Sequence, residues 1–462
     1  MSNRKAAPLR FPLTVPVWLL AGLLVATLVS VAWGGLTAFR NGAVGGVSIN
    51  ADGILGPPAE TDRSMLLQEL RRRIKEPGGA LGTRVPLRMV SLRALEAACD
   101  QALKGDFGEL PDEVRFLAGL QRIQYVFVFP EKNDIVLAGP GEGWKVDERA
   151  NIVGATTGRP VLRLDDLLVA LRYVHDARVK GISCSIDFTQ EGYRRVREVM
   201  KEQYGRPINP AALEAAIKRA SGPHTITITG VPLTSHFARV LSAADYRMKR
   251  IGMNLEPSPV RGLTSYVDLI KFTGSRGLNT VNPRWWLACN YQPLATSEDR
   301  LAWELRGPGV KALTENDLVT AEGAKPTGKA SPAAQKWADM MTEHYEELCA
   351  KEPVFGDLRN LMDMCVVAAL LEKEGLWDMA GLAVPLLRGA NSPLKIEIWN
   401  APKTVAPEVS ILQVRPRGDT IVTASGGVQV ESWQVASRTE VSPHVQQVRQ
   451  KAVPPSESLW WQ

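Results

Sequence analysis

The feature of this sequence that most restricts its fold is an uncharged, apolar segment close to its start. Three basic residues precede it, and no charged residue occurs at positions 11–39. A helix over residues 17–39 would be about 34 Å long, enough to span the ~30 Å hydrocarbon core of a bilayer. Trp18 and Trp33 fall near its two ends, where interfacial aromatic residues are favoured. The segment therefore predicts a helix that inserts into a membrane.

Two interpretations of this segment remain open. An uncleaved signal anchor requires a long apolar stretch, whereas a signal peptide would be cut near the small residues Ser30-Val31-Ala32. In both cases the positive-inside rule keeps the basic start in the cytoplasm. We therefore expect a single-pass inner-membrane protein whose bulk is periplasmic, or a secreted protein if the segment is cleaved. The next most apolar run, 364–371, is too short to span a bilayer, which excludes a channel or transporter.

Beyond this segment the sequence has the composition of a globular protein of the α+β class. Its 462 residues are 45% hydrophobic and 23% charged, which suits several structural units. The patterns predict mixed sheet layers with covering helices, a helical hairpin and a C-terminal β segment. We divide the chain into a signal anchor or signal peptide (1–40), an α+β region (41–320), a linker (321–332), the helical hairpin (333–390), the β segment (391–437) and a disordered tail (438–462).

The strand and helix patterns are clearest in the middle of the chain. Apolar residues alternate with polar ones at 182–186, as they do in a half-buried strand. Asn209-Pro210 predicts a helix start, with an N-cap followed by proline, and Gly222 predicts the end of that helix. Apolar residues at helical spacing over 237–251 predict a further helix that covers a sheet.

The charges, cysteines and histidines exclude several classes of protein. The net charge of +6 is mild for this length, and Lys and Arg form no concentrated block, so we expect no nucleic-acid partner. The five cysteines are scattered without a C-x-x-C pair, and no two of the five histidines are four positions apart. We therefore predict buried thiols, no metal site and no cofactor.

No established catalytic motif occurs in the sequence, and we assign no catalytic residue. Walker A, G-x-S-x-G, H-E-x-x-H and a Rossmann fingerprint in a strand–helix context are all missing. An envelope hydrolase of unrecognised type is the alternative function, and it predicts a pocket where Cys184, Asp187, His224 or His236 converge. The inward-looking strand position of Cys184 favours core packing instead.

The best candidate for a recognition surface is a cluster of aromatic and basic residues in the second half of the chain. Exposed aromatic residues beside arginine are typical of interface hot spots. The alternative is that alternate members of the cluster fill the core of a sheet. The pair Trp460-Trp461 is either a second docking tag or part of a loose tail. The candidate binding residues are Arg284, Trp285, Trp286, Tyr291 and Trp303.

Several long phrases, among them PRWWLACNYQPLATSEDRLAWELRGPGVKAL and VFGDLRNLMDMCVVAALL, resemble a domain-of-unknown-function family of planctomycete bacteria. The resemblance covers roughly residues 45–390. It implies an uncharacterised exported or membrane-anchored protein and supplies no catalytic residues. We therefore expect a membrane-anchored extracytoplasmic protein that is a binding or structural component of the cell envelope. Its expected partners are the membrane, through residues 17–39, and an envelope protein.

Overall fold

The computed structural model describes residues 44, 46–57, 60–105, 110–203, 209–271, 279–320, 323–414, 418–452 and 460–462. The apolar segment at 17–39, expected to be an anchor or signal helix, lies outside the described residues. Among the helices that the structure describes, none is both long and apolar enough to cross a bilayer.

Strands and helices are mixed along the chain, which confirms the α+β prediction. The strands are β1 (Ser48–Ile49), β2 (Ile54–Gly56), β3 (Val85–Ser91), β4 (Tyr125–Phe129), β5 (Asp134–Gly141), β6 (Trp144–Val146), β7 (Ile152–Gly154), β8 (Ile182–Asp187), β9 (His224–Thr229), β10 (Asn279–Val281), β11 (Pro283–Asn290), β12 (Leu294–Thr296), β13 (Ala302–Glu304), β14 (Gly309–Thr320), β15 (Gly323–Pro326), β16 (Thr404–Val405), β17 (Ser410–Val414), β18 (Gly418–Val422), β19 (Ser425–Val430) and β20 (Thr439–Val441).

The described α-helices number 17, most of them short. They are α1 (Glu60–Arg73), α2 (Gly79–Gly82), α3 (Leu92–Lys104), α4 (Asp112–Arg115), α5 (Leu164–Arg172), α6 (Val174–Lys180), α7 (Gln190–Gln203), α8 (Pro210–Ser221), α9 (His236–Gly252), α10 (Tyr266–Ile270), α11 (Pro332–Glu343), α12 (Tyr345–Lys351), α13 (Pro353–Lys373), α14 (Leu376–Ala380), α15 (Pro385–Arg388), α16 (Ser432–Ala436) and α17 (Pro443–Lys451).

The largest sheet has nine strands in the order β1-β2-β16-β9-β8-β19-β11-β14-β15. Strand β19 pairs antiparallel with β8 and parallel with β11, so the sheet is mixed. Because side chains alternate between the faces of a strand, Cys184 and Val428 are buried on one face. The neighbouring Ser185 and Gln429 lie on the other face. The alternation predicted at 182–186 is therefore confirmed.

Helices α9 and α13 cover the inner face of this sheet. The helix predicted from the apolar stripe at 237–251 is confirmed, and nearly all of its residues are buried. At its end, a Cβ on Gly252 would lie only 2.7 Å from the Trp285 ring, so glycine allows α9 to approach the sheet closely. The Trp285 ring in turn packs on Trp337 of α11, with ring centroids 4.3 Å apart.

Helix α13 is the central element of the region predicted as a helical hairpin. It is buried around almost its whole circumference, which is typical of a helix inside a large core. One of its buried polar residues, Asp363, accepts hydrogen bonds from Arg122 at 2.9 and 3.2 Å and from Tyr291 at 2.6 Å. These bonds satisfy a carboxylate that would otherwise be costly to bury.

A second sheet has six strands in the order β20-β12-β13-β4-β5-β3. Two smaller sheets, β10-β18-β17 and β6-β7, complete the described β structure. The two faces of β4 contribute to different clusters, since Val126 and Val128 join the main core whereas Phe127 and Phe129 join a smaller one. This explains why the sequence of β4 is almost wholly apolar.

The structure differs from the expected disordered tail at 438–462. The segment contains strand β20, which extends the six-stranded sheet, and helix α17, whose Val445 is fully buried. Trp460–Gln462 then pairs with β3, with Met89 and Gln462 exchanging backbone hydrogen bonds of 2.8 and 2.9 Å. The Arg88 guanidinium lies 5.1 Å from the centre of the Trp461 ring. Because the segment is mostly polar in composition, its sequence did not indicate these few apolar contacts.

The expected linker at 321–332 also contains ordered backbone. Strand β15 pairs antiparallel with the end of β14 and forms the edge of the nine-stranded sheet. Helix α11 begins at Pro332, and its N-cap Ser331 accepts a hydrogen bond from the backbone of Ala334. The Gly, Pro and Lys residues that suggested a linker therefore belong to an edge hairpin and a helix start.

Candidate functional site

A pocket opens where the first turns of α5 and α9 approach Asp357 of α13. The end of α1 and the segment 395–399 form its other walls. It has an inner lobe of about 80 Å³ and an outer lobe of about 370 Å³. Both lobes share Arg115, Arg163 and Glu397 in their walls, so they form one continuous space, called the His236 pocket below.

His236 lies at the floor of the inner lobe. It is the first residue of α9, where Ser235 caps the helix by accepting a hydrogen bond from the backbone of Ala238. Its Nδ1 atom lies 2.9 and 3.1 Å from the two carboxylate oxygens of Asp166, in the first turn of α5. Because a carboxylate only accepts hydrogen bonds, Nδ1 is the donor.

The other ring nitrogen of His236, Nε2, forms no hydrogen bond with any residue that the structure describes. The side chain is nevertheless only 2% exposed, and it lines the pocket. This nitrogen therefore faces the pocket, where a ligand group or a water molecule can pair with it. The Asp166 carboxylate fixes the orientation of the ring by its hydrogen bonds with Nδ1.

Basic groups and helix N-termini line the pocket, beside the carboxylate of Glu397. The N-terminal ends of helices carry partial positive charges from unpaired backbone N–H groups, and α5 and α9 begin beside the pocket. Arg73 and Arg163 add guanidinium groups that form no hydrogen bond or ion pair among the described residues. Arg115 contributes a third, held 3.1 Å from Asp112. This arrangement favours an anionic group in the pocket.

Carboxyl groups in the same pocket are partly neutralised by their surroundings. The pKa of Asp357 is raised to about 6. Burial is the largest cause and the nearby Asp166 adds to it, whereas His236 and Arg163 act in the opposite direction. Burial likewise raises the pKa of Asp165 to about 7. The acidic wall is therefore less negative near neutral pH than its residue types suggest.

Trp399 forms the apolar wall of the inner lobe. Its ring centroid lies 5.6 Å from that of His236, and its backbone N–H donates to Thr234 at 2.7 Å. On the Trp399 ring lies the guanidinium of the buried Arg239, 4.8 Å from the ring centroid. Burial lowers the pKa of Arg239 to about 10. The pocket thus combines apolar surface with a few fixed polar groups, as ligand sites usually do.

The geometry allows two kinds of chemistry. A neutral His236 offers a lone pair on Nε2 that can accept a proton, and a charged His236 offers an N–H that can bind an anion. Within the described residues, no group of three or more His, Cys, Asp or Glu side chains is placed to hold a metal ion.

The residues predicted as a recognition surface do not lie together on one surface. Trp285 and Trp303 are fully buried, and Tyr291 is 5% exposed. Trp285 packs in the core beneath the nine-stranded sheet, as the core-filling alternative stated. Arg284 and Trp286 lie on the opposite, outer face of β11 and line a groove there. Only these two remain available for recognition.

The residues proposed for a hydrolase also divide into two places. Cys184, Asp187 and His224 surround the buried ion pair between Lys249 and Asp245, whose nitrogen and carboxylate oxygen are 3.0 Å apart. Burial raises the pKa of the Cys184 thiol well above its usual range and lowers the pKa of His224 to about 4. A thiol in this environment is a poor nucleophile.

His236 is the one member of that set that lies in the pocket, and its partners were not assigned from the sequence. Asp166 occurs in the first turn of α5, where acidic residues usually act as caps or dipole partners, and Asp357 is the fifth residue of α13. The sequence did not show that these carboxyl groups are buried, because their burial depends on which helices pack together.

Comparison with known proteins identifies one domain. A family model described as a protein of unknown function (DUF1598) matches residues 184–266. The chain therefore contains a DUF1598 domain. That domain spans β8, α7, α8, β9 and α9, and it includes His236. Asp166 and Asp357 lie outside it. No curated protein and no solved structure matches the chain.

Proposed function

We propose that this protein binds a small molecule with a carboxylate or phosphate group in the His236 pocket, as a membrane-anchored extracytoplasmic component of the cell envelope. The observation that carries the binding proposal is His236, whose side chain is 2% exposed and oriented by Asp166, and whose Nε2 atom has no hydrogen-bond partner among the described residues and lines the pocket. A ligand group at this position would satisfy it.

An anionic group fits the pocket better than a cationic one. Arg73 and Arg163 form no hydrogen bond or ion pair among the described residues, and the N-termini of α5 and α9 add to their field. The raised pKa values of Asp165 and Asp357 reduce the opposing charge. Trp399 and Phe116 supply apolar surface for the remainder of the ligand.

The binding proposal is tested with pairs of probes that differ only in charge. Glycerol 3-phosphate, inorganic phosphate and citrate are titrated by calorimetry, with glycerol as the neutral partner of the first. We expect at least one anion to bind, and His236→Gln and Arg163→Gln each to weaken binding about ten- to a hundredfold, because each removes a charge-assisted hydrogen bond.

His175→Gln is the matched control, since His175 is largely exposed and lies outside the pocket. Its affinity for the anion should equal that of the unchanged protein. Equal binding of glycerol and glycerol 3-phosphate, or an unchanged affinity in His236→Gln, would contradict the proposal.

The envelope location is supported by the sequence alone. The uncharged stretch at 17–39 is long enough to span a bilayer, and long segments resemble those of exported or anchored planctomycete proteins. Protease treatment of spheroplasts tests the location directly. Digestion of the bulk of the chain while the inner membrane is intact is the expected result, and its protection would refute an extracytoplasmic location.

A hydrolase remains the second candidate, and one observation favours it. His236 and the raised-pKa carboxyl of Asp357 share the pocket, so one could accept a proton from water while the other donates one to a leaving group. Release of p-nitrophenol from p-nitrophenyl phosphate or acetate, lost in His236→Gln and retained in His175→Gln, would support this function. Binding without turnover would favour the binding protein.

A further inference from the structure

The outer face of the nine-stranded sheet carries a row of small polar side chains beside one partly exposed tryptophan. Thr227 on β9 lies opposite Ser185 on β8, which lies opposite Gly427 on β19, which lies beside Trp286 on β11. The row crosses three strand spacings, or about 14 Å. It borders a groove of about 660 Å³ whose walls include Ser183, Ser185, Trp286 and Gln429.

The Trp286 ring is free to contact a ligand. Its neighbour in the row, Gly427, has no side chain, so nothing on that side covers the indole. The indole N–H forms no hydrogen bond within the part of the chain that the structure describes, although Trp286 is partly exposed. An indole with an apolar ring and an unpaired donor suits a ligand that has both apolar and polar faces.

The charges of the groove residues and their ion-pair partners balance in sum. Arg284 lies 3.6 Å from Glu315, Lys180 bonds Asp176 at 3.0 Å, and Glu431 accepts from Gln429 at 2.9 Å. In the same groove the Arg178 guanidinium lies over the Trp433 ring, 4.7 Å from its centroid. Arg178 and Glu431 have no ion-pair partner among the described residues, but their charges are opposite, so the groove has no net charge and its electrostatic complement is an uncharged ligand.

We propose that this groove binds an uncharged glycan chain. The ring C–H groups of a sugar form an apolar face that stacks on Trp286, and the hydroxyl groups at the ring edge both donate and accept hydrogen bonds. Ser185, Thr227 and Gln429 offer the same dual capacity. A linear chain of sugars crossing the strands would contact the whole row. This inference rests on a face of the sheet opposite α9 and is independent of the His236 pocket.

Two other occupants fit less well. A polyanion would find two of the three cations of the groove already paired with Glu315 and Asp176, and it would also meet Glu431. A protein partner generally needs several apolar anchors in the centre of its interface, whereas this groove offers Trp286 and a Trp433 ring that Arg178 covers. These occupants become outcomes of the test.

The test measures binding of the full chain to cellohexaose, chitohexaose and neutral dextran, by intrinsic tryptophan fluorescence and calorimetry. At least one neutral glycan should bind. Trp286→Ala should weaken that binding about tenfold, and Trp286→Phe less, because a smaller ring preserves part of the stacking. Ser185→Val should also weaken glycan binding, and it should change the thermal unfolding midpoint little.

Val441→Ala serves as the control, because Val441 is exposed on the six-stranded sheet and does not line the groove. Its glycan affinity should be unchanged. Failure of every neutral glycan to bind at millimolar concentration would overturn the proposal. So would tighter binding of sulfated dextran than of neutral dextran, or an unchanged affinity in a folded Trp286→Ala protein.

Discussion

At the scale of single residues, Asp357 gives the clearest pH-dependent consequence. Burial raises its pKa to about 6, so the folded protein holds this proton more tightly than the unfolded chain does. The stability that this group contributes is therefore fully present below about pH 4 and is lost as the pH rises through about 6. Asp165, whose pKa is about 7, acts in the same direction.

We predict that Asp357→Asn reduces the decline in unfolding free energy between pH 4 and pH 7, because the amide does not titrate. Urea denaturation at a series of pH values measures the difference. Asp176→Asn, at an exposed residue paired with Lys180, is the control and should leave the slope unchanged. An identical pH profile in Asp357→Asn and the unchanged protein would show that this carboxyl is not buried as described.

At the scale of elements, the contact between α9 and the nine-stranded sheet depends on Gly252. We predict that Gly252→Ala destabilises the protein by about 1–3 kcal/mol, since the added methyl group overlaps the Trp285 ring. Gly56→Ala is the matched control, because a Cβ there meets no atom within 4 Å. Chemical denaturation of both variants measures the effect. A larger loss of stability in the control would contradict this account of α9 packing.

Elements with strong local signals were predicted from the sequence. Helix α8 begins after the N-cap Asn209 and ends at Gly222, as the capping residues indicated, and α9 follows its apolar stripe. The segment after residue 438 was missed because α17 is anchored by little more than Val445, too weak a pattern to indicate a helix.

The site was missed for a different reason. His236 and Asp166 are 70 positions apart, and their hydrogen bond exists only because the first turns of two helices meet. Local sequence patterns do not show which helices pack against each other. The same limit applies to Trp285 and Trp286, which are adjacent in sequence but lie on opposite faces of β11. The core-filling alternative, in which Trp285 and Leu287 occupy the sheet core, is confirmed, since both side chains are fully buried.

At the scale of the whole molecule, the His236 pocket is built jointly by the DUF1598 domain and the rest of the chain. The domain supplies His236, whereas Asp166, Arg163 and Asp357 come from the segments before and after it. One large core cluster includes residues of both parts, among them Phe237 and Leu358. The domain is therefore a sequence unit here, and the pocket requires the surrounding structure.

The pairing of Trp460–Gln462 with β3 also has a consequence for solubility. Strand β3 is the last strand of the six-stranded sheet, and its free backbone groups would otherwise be a template for another chain. We predict that deletion of residues 460–462 causes concentration-dependent self-association, measured by light scattering. Gln462→Ala keeps the backbone hydrogen bonds and should remain monodisperse to the same degree as the unchanged protein. Residues 460–462 therefore protect this sheet edge from pairing with another chain. A fusion partner placed beside these residues can displace them and expose the edge.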